Sequence, residues 1–137
     1  MKQVAIIVRD PEDLIELKNQ LVDFEYNEKC PDFVVSYGGD GTYLVSERLY
    51  PGIPKLLIKK EKSICAKCNQ GDFYHLVSAI LRNKFSIEEN IKLKAGYNNH
   101  YLEGTNDIVI RNKYPTHALR FKVNVNSKDI TKVIIGD

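Results

Sequence analysis

The run Ser36-Tyr37-Gly38-Gly39-Asp40-Gly41-Thr42-Tyr43-Leu44 restricts what this chain can fold into more than any other segment. Phe33, Val34 and Val35 before it are apolar and β-branched in the manner of a buried strand, and Thr42 onward has the character of a helix. The glycines between them predict a strand-to-helix turn. Gly38, Gly39 and Gly41 supply backbone that takes positive φ and approaches a ligand closely. Peptide N–H groups at the start of the following helix carry partial positive charge, so such a turn suits phosphate oxygens.

A carboxylate in that position needs a reason. Asp40 beside phosphates is repelled unless it meets a cation or takes a proton from an attacking hydroxyl, which makes it a candidate general base. The plainer reading is that Asp40 caps the next helix and that Gly-Gly is an ordinary turn. Three glycines bracketing Asp40, with Thr42 following, favour the chemical role.

Strand and helix patterns alternate over the first part of the chain. After the strand Val4 to Val8, Asp10 as N-cap and Pro11 as first helical residue predict a helix, with Leu14, Leu17, Leu21 and Phe24 facing a sheet. The helix after Thr42 is expected to carry Leu44, Val45 and Leu49 inward and to stop at Pro51-Gly52. Leu56 to Ile58 forms a third buried strand. A charged and polar loop from Lys59 to Gln70 precedes a helix over about 72–83, whose apolar face is Phe73, Leu76, Val77, Ile80 and Leu81. Such alternation implies parallel strands joined by crossovers, an α/β layer of the doubly wound kind.

Beyond about Ile87 the period becomes two: Ile91, Leu93 and Ala95, then Ile108 and Ile110, then Leu119 to Val125, then Val133 and Ile135. Turn-forming pairs at Asn98-Asn99, Tyr114-Pro115 and Asn126-Ser127 separate these runs, which predicts antiparallel strands. The expected division is an α/β domain over 1–88 and part of an all-β domain over 89–137.

Composition narrows the function classes. A chain of 137 residues buries about 68 % of its unfolded surface without disulfide staples. The net charge of +2 arises from 20 basic and 18 acidic residues spread along the chain, so no basic stripe is offered to nucleic acid. No apolar stretch approaches the roughly 18 residues of a membrane span, and no secretory leader precedes the first strand, so a cytoplasmic location is expected. Cys65 and Cys68 have the spacing of half a zinc site or a redox pair. Closing a zinc site takes about four ligands, which only Cys30 and the scattered His75, His100 and His117 could complete. An incidental or stabilising thiol pair is the expectation.

The Gly38 to Thr42 segment resembles the signature of the NAD kinases, which diacylglycerol and sphingosine kinases and phosphofructokinases share in variant form. Thr105-Asn106-Asp107-Ile108-Val109-Ile110 is similar to the Asn-Glu or Asn-Asp motif of NAD kinases, and Val133-Ile134-Ile135-Gly136-Asp137 to the strand leading into their second glycine-rich motif. The resemblance implies an α/β domain of the NAD kinase and phosphofructokinase type, followed by the opening strands of an antiparallel all-β domain. It implies transfer of a phosphoryl group from ATP or polyphosphate to the adenosine 2′-hydroxyl of NAD. Asp40 would be the catalytic residue; Gly38, Gly39, Gly41, Thr42, Asn106 and Asp107 would bind nucleotide. Mg²⁺ or another divalent cation would accompany ATP, no residue being assigned to a metal, and homo-oligomers are expected. Two departures point to weak or absent activity of this chain. Lys59 to Cys65 stands where the family has an Asn-x-Gly loop and a Leu-Gly-Phe run, and the chain ends where further nucleotide-binding residues are expected. The alternatives are therefore a non-catalytic nucleotide-binding remnant, or a lipid or sugar kinase sharing the same loop.

Overall fold

The computed structural model describes residues 1–114 and 116–136. Pro115 of the expected Tyr114-Pro115 turn and Asp137 of the final run lie outside the described residues. The chain divides into two compact units, Met1–Glu89 and Asn90–Asp137.

The first unit is built on a four-stranded sheet of order β2-β1-β3-β4, all pairs parallel. Its elements run β1 (Gln3–Val8), α1 (Asp13–Gln20), β2 (Glu25–Tyr26), β3 (Phe33–Gly38), α2 (Asp40–Leu49), β4 (Lys55–Lys59) and α3 (Phe73–Leu81). Both faces of the sheet are covered, which is why β1, β3 and β4 read as nearly unbroken apolar runs. On one face Val4, Ile6, Phe33, Val35, Leu56 and Ile58 pack against Leu17 of α1, Leu21 at its C-cap, and Val77 and Ile80 of α3. Phe24 closes this core edge-on to Phe33, ring centroids 5.2 Å apart. Leu14, Phe73 and Leu76 lie against it as expected; Leu81 is exposed.

Helix α1 starts later than the sequence indicates. Asp10 and Pro11 belong to a turn, and Glu12 is the N-cap. The Asp10 carboxylate is drawn off instead to Lys60, whose Nζ lies 2.7 Å from both Asp10 and Asp13. Those hydrogen bonds, Asp10 first, push the Lys60 ammonium pKa upward, and the same contact holds the Asp10 carboxyl below the usual carboxylate range.

Helix α2 is turned about its axis relative to expectation. Leu44, Val45 and Leu49 are exposed, whereas Thr42, Ser46 and Glu47 are buried. The cause is the connection: β3 ends at Gly38 and α2 begins at Asp40, so a single residue separates strand from helix. With no slack, the helix lies close on the sheet, and only small or paired side chains fit beneath it. Ser46, fully buried, turns its hydroxyl back to Tyr43 O at 2.8 Å. Glu47 meets Lys55 of β4.

Tyr26 on the edge strand β2 lies under the Lys18 ammonium, 3.7 Å from its ring, and donates its hydroxyl proton to Glu28. Burial first, then that hydrogen bond, raises its pKa from 10.0 to about 12. The folded pKa therefore exceeds the unfolded one, so Tyr26 contributes stability below pH 10 that is lost as pH rises from 10 to about 12. Tyr26→Phe should flatten the alkaline limb of the stability curve over that window, measured by urea titration at each pH.

The second unit holds three two-stranded antiparallel sheets: β5 (Leu93–Tyr97) with β6 (His100–Gly104), β7 (Leu119–Phe121) with β10 (Ile134–Gly136), and β8 (Asn124–Val125) with β9 (Lys128–Asp129). Asn98-Asn99 and Asn126-Ser127 form the two hairpin turns, all four residues at positive φ, as mirror-image turns require. Ile108 to Ile110, expected as a strand, has no strand pairing. No described residue of this unit is buried, and Leu102, Ile110 and Ile135 are among its exposed apolar side chains.

Candidate functional site

In the first unit the chain runs from β1 outward to β2, returns past β1 to β3, and continues to β4. The direction therefore reverses between β1 and β3. At such a point the loops leaving two neighbouring strands diverge, opening a crevice beyond their carboxyl ends. A cavity of about 630 Å³ occupies this position, lined by Ile7, Val8 and Arg9 at the end of β1, Gly39 to Thr42 and Val45 of the β3–α2 junction, and Lys62, Ser63 and Ile64 of the following loop. Its size is in the range of small-molecule pockets.

The junction supplies donors. Gly39 is the N-cap of α2 and offers no side chain to cap it. Asp40 N donates to Ile64 O at 3.0 Å, and Tyr43 N donates to Gly39 O at 3.1 Å as the first bond of the helix. Of the four N–H groups that have no partner within the helix, those of Gly39 to Thr42, the Asp40 N–H is thereby satisfied. Among the described residues the N–H groups of Gly41 and Thr42 meet no acceptor, and they stand at the positive end of the helix dipole.

Asp40 does not cap its own helix. It is the first helical residue, half-buried, and its Oδ1 accepts from Ala66 N at 2.9 Å. Ser63 beside it is 7 % exposed, and among the described residues its Oγ has no hydrogen-bond partner. That hydroxyl has almost no accessible surface, so it lies behind the cavity wall and not on it. Arg9 and Lys62 are exposed on the rim, and Val45 and Ile64 add apolar surface. The arrangement presents fixed donors, two cations and one carboxylate to the same space. It suits a polyanion with an apolar or ring-bearing part, beside a group that can receive a proton.

None of the three glycines adopts positive φ, which corrects the sequence expectation; among the glycines only Gly52 and Gly71 do. Two of them are required by space. A Cβ on Gly38 would fall 2.1 Å from Thr42 Oγ1, and one on Gly39 2.4 Å from Ile64 O; one on Gly41 would meet nothing within 4 Å. Gly39→Ala should displace the 62–66 loop and cost on the order of 1–3 kcal/mol, as overpacking does. Gly41→Ala should be neutral or stabilising by up to about 1 kcal/mol, since alanine is the better helix former. Because Gly41 faces the cavity, the same change should weaken ligand binding. Melting curves and nucleotide titrations on both variants check this contrast.

Gly38, Gly39, Asp40, Gly41 and Thr42 thus stand together at one junction, all but Gly38 on the cavity wall. Asn106 and Asp107 belong to the second unit, exposed in the bend that follows β6. Gly104 is needed for that bend, because a Cβ there would lie 2.4 Å from Asp107 O. Arg9, Lys62, Ser63, Ile64 and Ala66 were not singled out by the sequence. For Arg9 a signal existed, as the first residue beyond the apolar run of β1. For Ser63 and Ala66 there was none, since only the folding of the 60–70 loop onto Asp40 gives them a part.

Among the lining residues Asp40 is the one carboxylate, and the described residues contain no group of three or more His, Cys, Asp or Glu side chains placed to hold a metal. No helix among the described residues is long and apolar enough to cross a membrane. Compared with known families and curated proteins, the chain matches no family model and none of the curated proteins.

Proposed function

We propose that this chain carries the phosphoryl-transfer site of an NAD kinase-like protein of the cytoplasm, on a doubly wound domain of the phosphofructokinase type. ATP or polyphosphate is the donor and the adenosine 2′-hydroxyl of NAD the acceptor. The observation that carries the reading is the half-exposed Asp40 carboxylate on a cavity wall that also offers two uncommitted helix N–H groups. Gly41 N, Thr42 N and the Arg9 and Lys62 charges bind phosphate oxygens. Asp40 receives the proton of the attacking hydroxyl, with its orientation set by the Ala66 N–H. A divalent ion would accompany ATP, and no step here depends on it.

The motif resemblance at Asn106 and Asp107 supports NAD as acceptor, with these two residues as further nucleotide contacts. Homo-oligomerisation belongs to the same proposal, since isolated two-stranded sheets with open edges are marginal in water and readily pair with another chain.

A second reading, a nucleotide-binding protein without turnover, is favoured by the second unit. Its described residues include none that is buried, so Asn106 and Asp107 stand on a frame without a core of its own. A coupled assay for NADP formation, run beside calorimetric titration with ATP and NAD, separates the two. Turnover above background supports the kinase. Binding without turnover supports the second reading, and absence of binding by either nucleotide ends both.

A further inference from the structure

The loop that carries Ser63 also carries a disulfide, Cys65–Cys68, with Cα atoms 5.5 Å apart. Cys30, the third cysteine, is exposed and unpaired. Cys65 follows directly on the cavity-lining residues Lys62, Ser63 and Ile64. Residues on either side of Cys65 hold Asp40 at both its backbone and its side chain: Ile64 O accepts from Asp40 N at 3.0 Å, and Ala66 N donates to Asp40 Oδ1 at 2.9 Å. Ala66 is one of the two residues enclosed by the S–S ring. The direction of its N–H is therefore fixed by the bond between the cysteines.

The rest of the loop is tied down mainly at its ends. Lys60 N donates to Gly38 O at 3.0 Å, extending the β3–β4 ladder. At the far end Asn69 N donates to Leu57 O at 2.9 Å, and Asn69 Oδ1 accepts from Leu57 N at 3.0 Å. Between these anchors the loop is held by Ser63 N to Lys60 O and the burial of Ser63, by the two contacts to Asp40, by the disulfide, and by two exposed contacts, Lys67 Nζ to Glu88 at 3.4 Å and Gln70 Nε2 to Cys68 O at 3.5 Å. Opening the S–S bond lengthens the free segment and returns backbone freedom to Ala66, so the Asp40 contacts must then order that segment without the disulfide. The two sulfur-bearing residues are half-buried, and Ala66 and Lys67 between them are exposed, so the segment that carries the bond meets solvent.

The geometry points to Cys65–Cys68 as a thiol–disulfide exchange site that sets the order of the Asp40 loop: oxidised, it holds the loop in its ligand-binding arrangement; reduced, it releases it. The reaction partner is a dithiol. One of its thiolates attacks a sulfur of the pair, the S–S bond breaks, and the departing cysteine thiolate takes up a proton. The partner's second thiolate then attacks the mixed disulfide and frees the other cysteine. Two electrons and two protons pass from the dithiol to the pair, and the dithiol becomes a disulfide. The effect on ligand binding rests on the nucleotide reading above; the effect on Ala66 does not.

The test is amide hydrogen exchange at Ala66, referenced to Val35 in the sheet, on full-length protein treated with oxidised glutathione or with dithiothreitol, alongside ATP titration of both forms. Reduction is expected to speed Ala66 exchange about tenfold relative to Val35 and to weaken ATP binding by a similar factor, the change that accompanies loss of one ordinary hydrogen bond. The double variant C65S/C68S should behave as the reduced protein under both treatments. Unchanged Ala66 exchange on reduction overturns the inference, as does a count of three free thiols after oxidised glutathione. Faster Ala66 exchange with no ATP binding in either form upholds the exchange site and removes the nucleotide reading instead.

Discussion

Replacing Asp40 by asparagine should lower NADP formation about 10²–10⁴-fold while leaving the melting temperature nearly unchanged. The size follows from what the substitution removes. Asparagine keeps the side-chain shape and an acceptor oxygen, so the bond from Ala66 N to position 40 survives, as does the backbone bond from residue 40 to Ile64 O. What is lost is the capacity to take a proton. A loss confined to kcat, with the KM values for ATP and NAD holding within a few-fold, marks a group that acts in the transition state. Asp40→Ala loses the Ala66 contact as well and should add a binding defect. An Asp40→Asn protein with undiminished turnover would remove this carboxylate from the chemistry, and equal losses in binding and turnover would make it a positioning residue.

The parts of the fold that were legible in the sequence are those where one physical demand dominates. Val4 to Ile6, Phe33 to Val35 and Leu56 to Ile58 are buried on both faces of a parallel sheet, and unbroken apolar runs record that directly. Leu17, Leu21 and Phe24 recur at helical spacing and lie in the core. Asn98-Asn99 and Asn126-Ser127 were readable as turns, because few other residues tolerate two successive positive φ values.

What was not legible depends on pairs distant in sequence. Helix α2 carries its apolar residues outward because a one-residue connection presses it onto the sheet and Glu47 has a buried partner, neither of which periodicity records. Ile108 to Ile110 alternates as a strand should but finds no neighbour to pair with. At the site, the contiguous Gly38 to Thr42 run could be read from composition alone. The role of its glycines could not: their need for space comes from Thr42 and from Ile64, the latter 25 residues onward.

The largest effect on stability should come from the far end of the same helix. Lys55 and Glu47 form an ion pair with side chains only 6 % and 9 % exposed. Lys55 Nζ also donates to Tyr50 O at 2.5 Å and Ile53 O at 2.7 Å, and Glu47 Oε1 accepts from Gly52 N at 3.1 Å. The pair thus closes the carboxyl end of α2, organises the Tyr50–Ile53 turn and docks both on β4. Lys55→Met fills similar volume but takes the Lys55 cation from the buried Glu47 carboxylate, and breaking a buried pair from one side costs on the order of 3–5 kcal/mol. Against a total stability of about 5–15 kcal/mol for a domain, that change should bring the first unit close to unfolding at 37 °C. Adding Glu47→Leu should restore most of the loss, because it removes the buried charge that Lys55 had balanced. Recovery should be incomplete, since Gly52 N and the Tyr50 and Ile53 carbonyls lose their partners. Urea denaturation of the two single variants and the double variant closes the cycle. A Lys55→Met protein within about 1 kcal/mol of the parent would mean that water reaches Glu47 and that α2 is held by its contacts with the sheet alone.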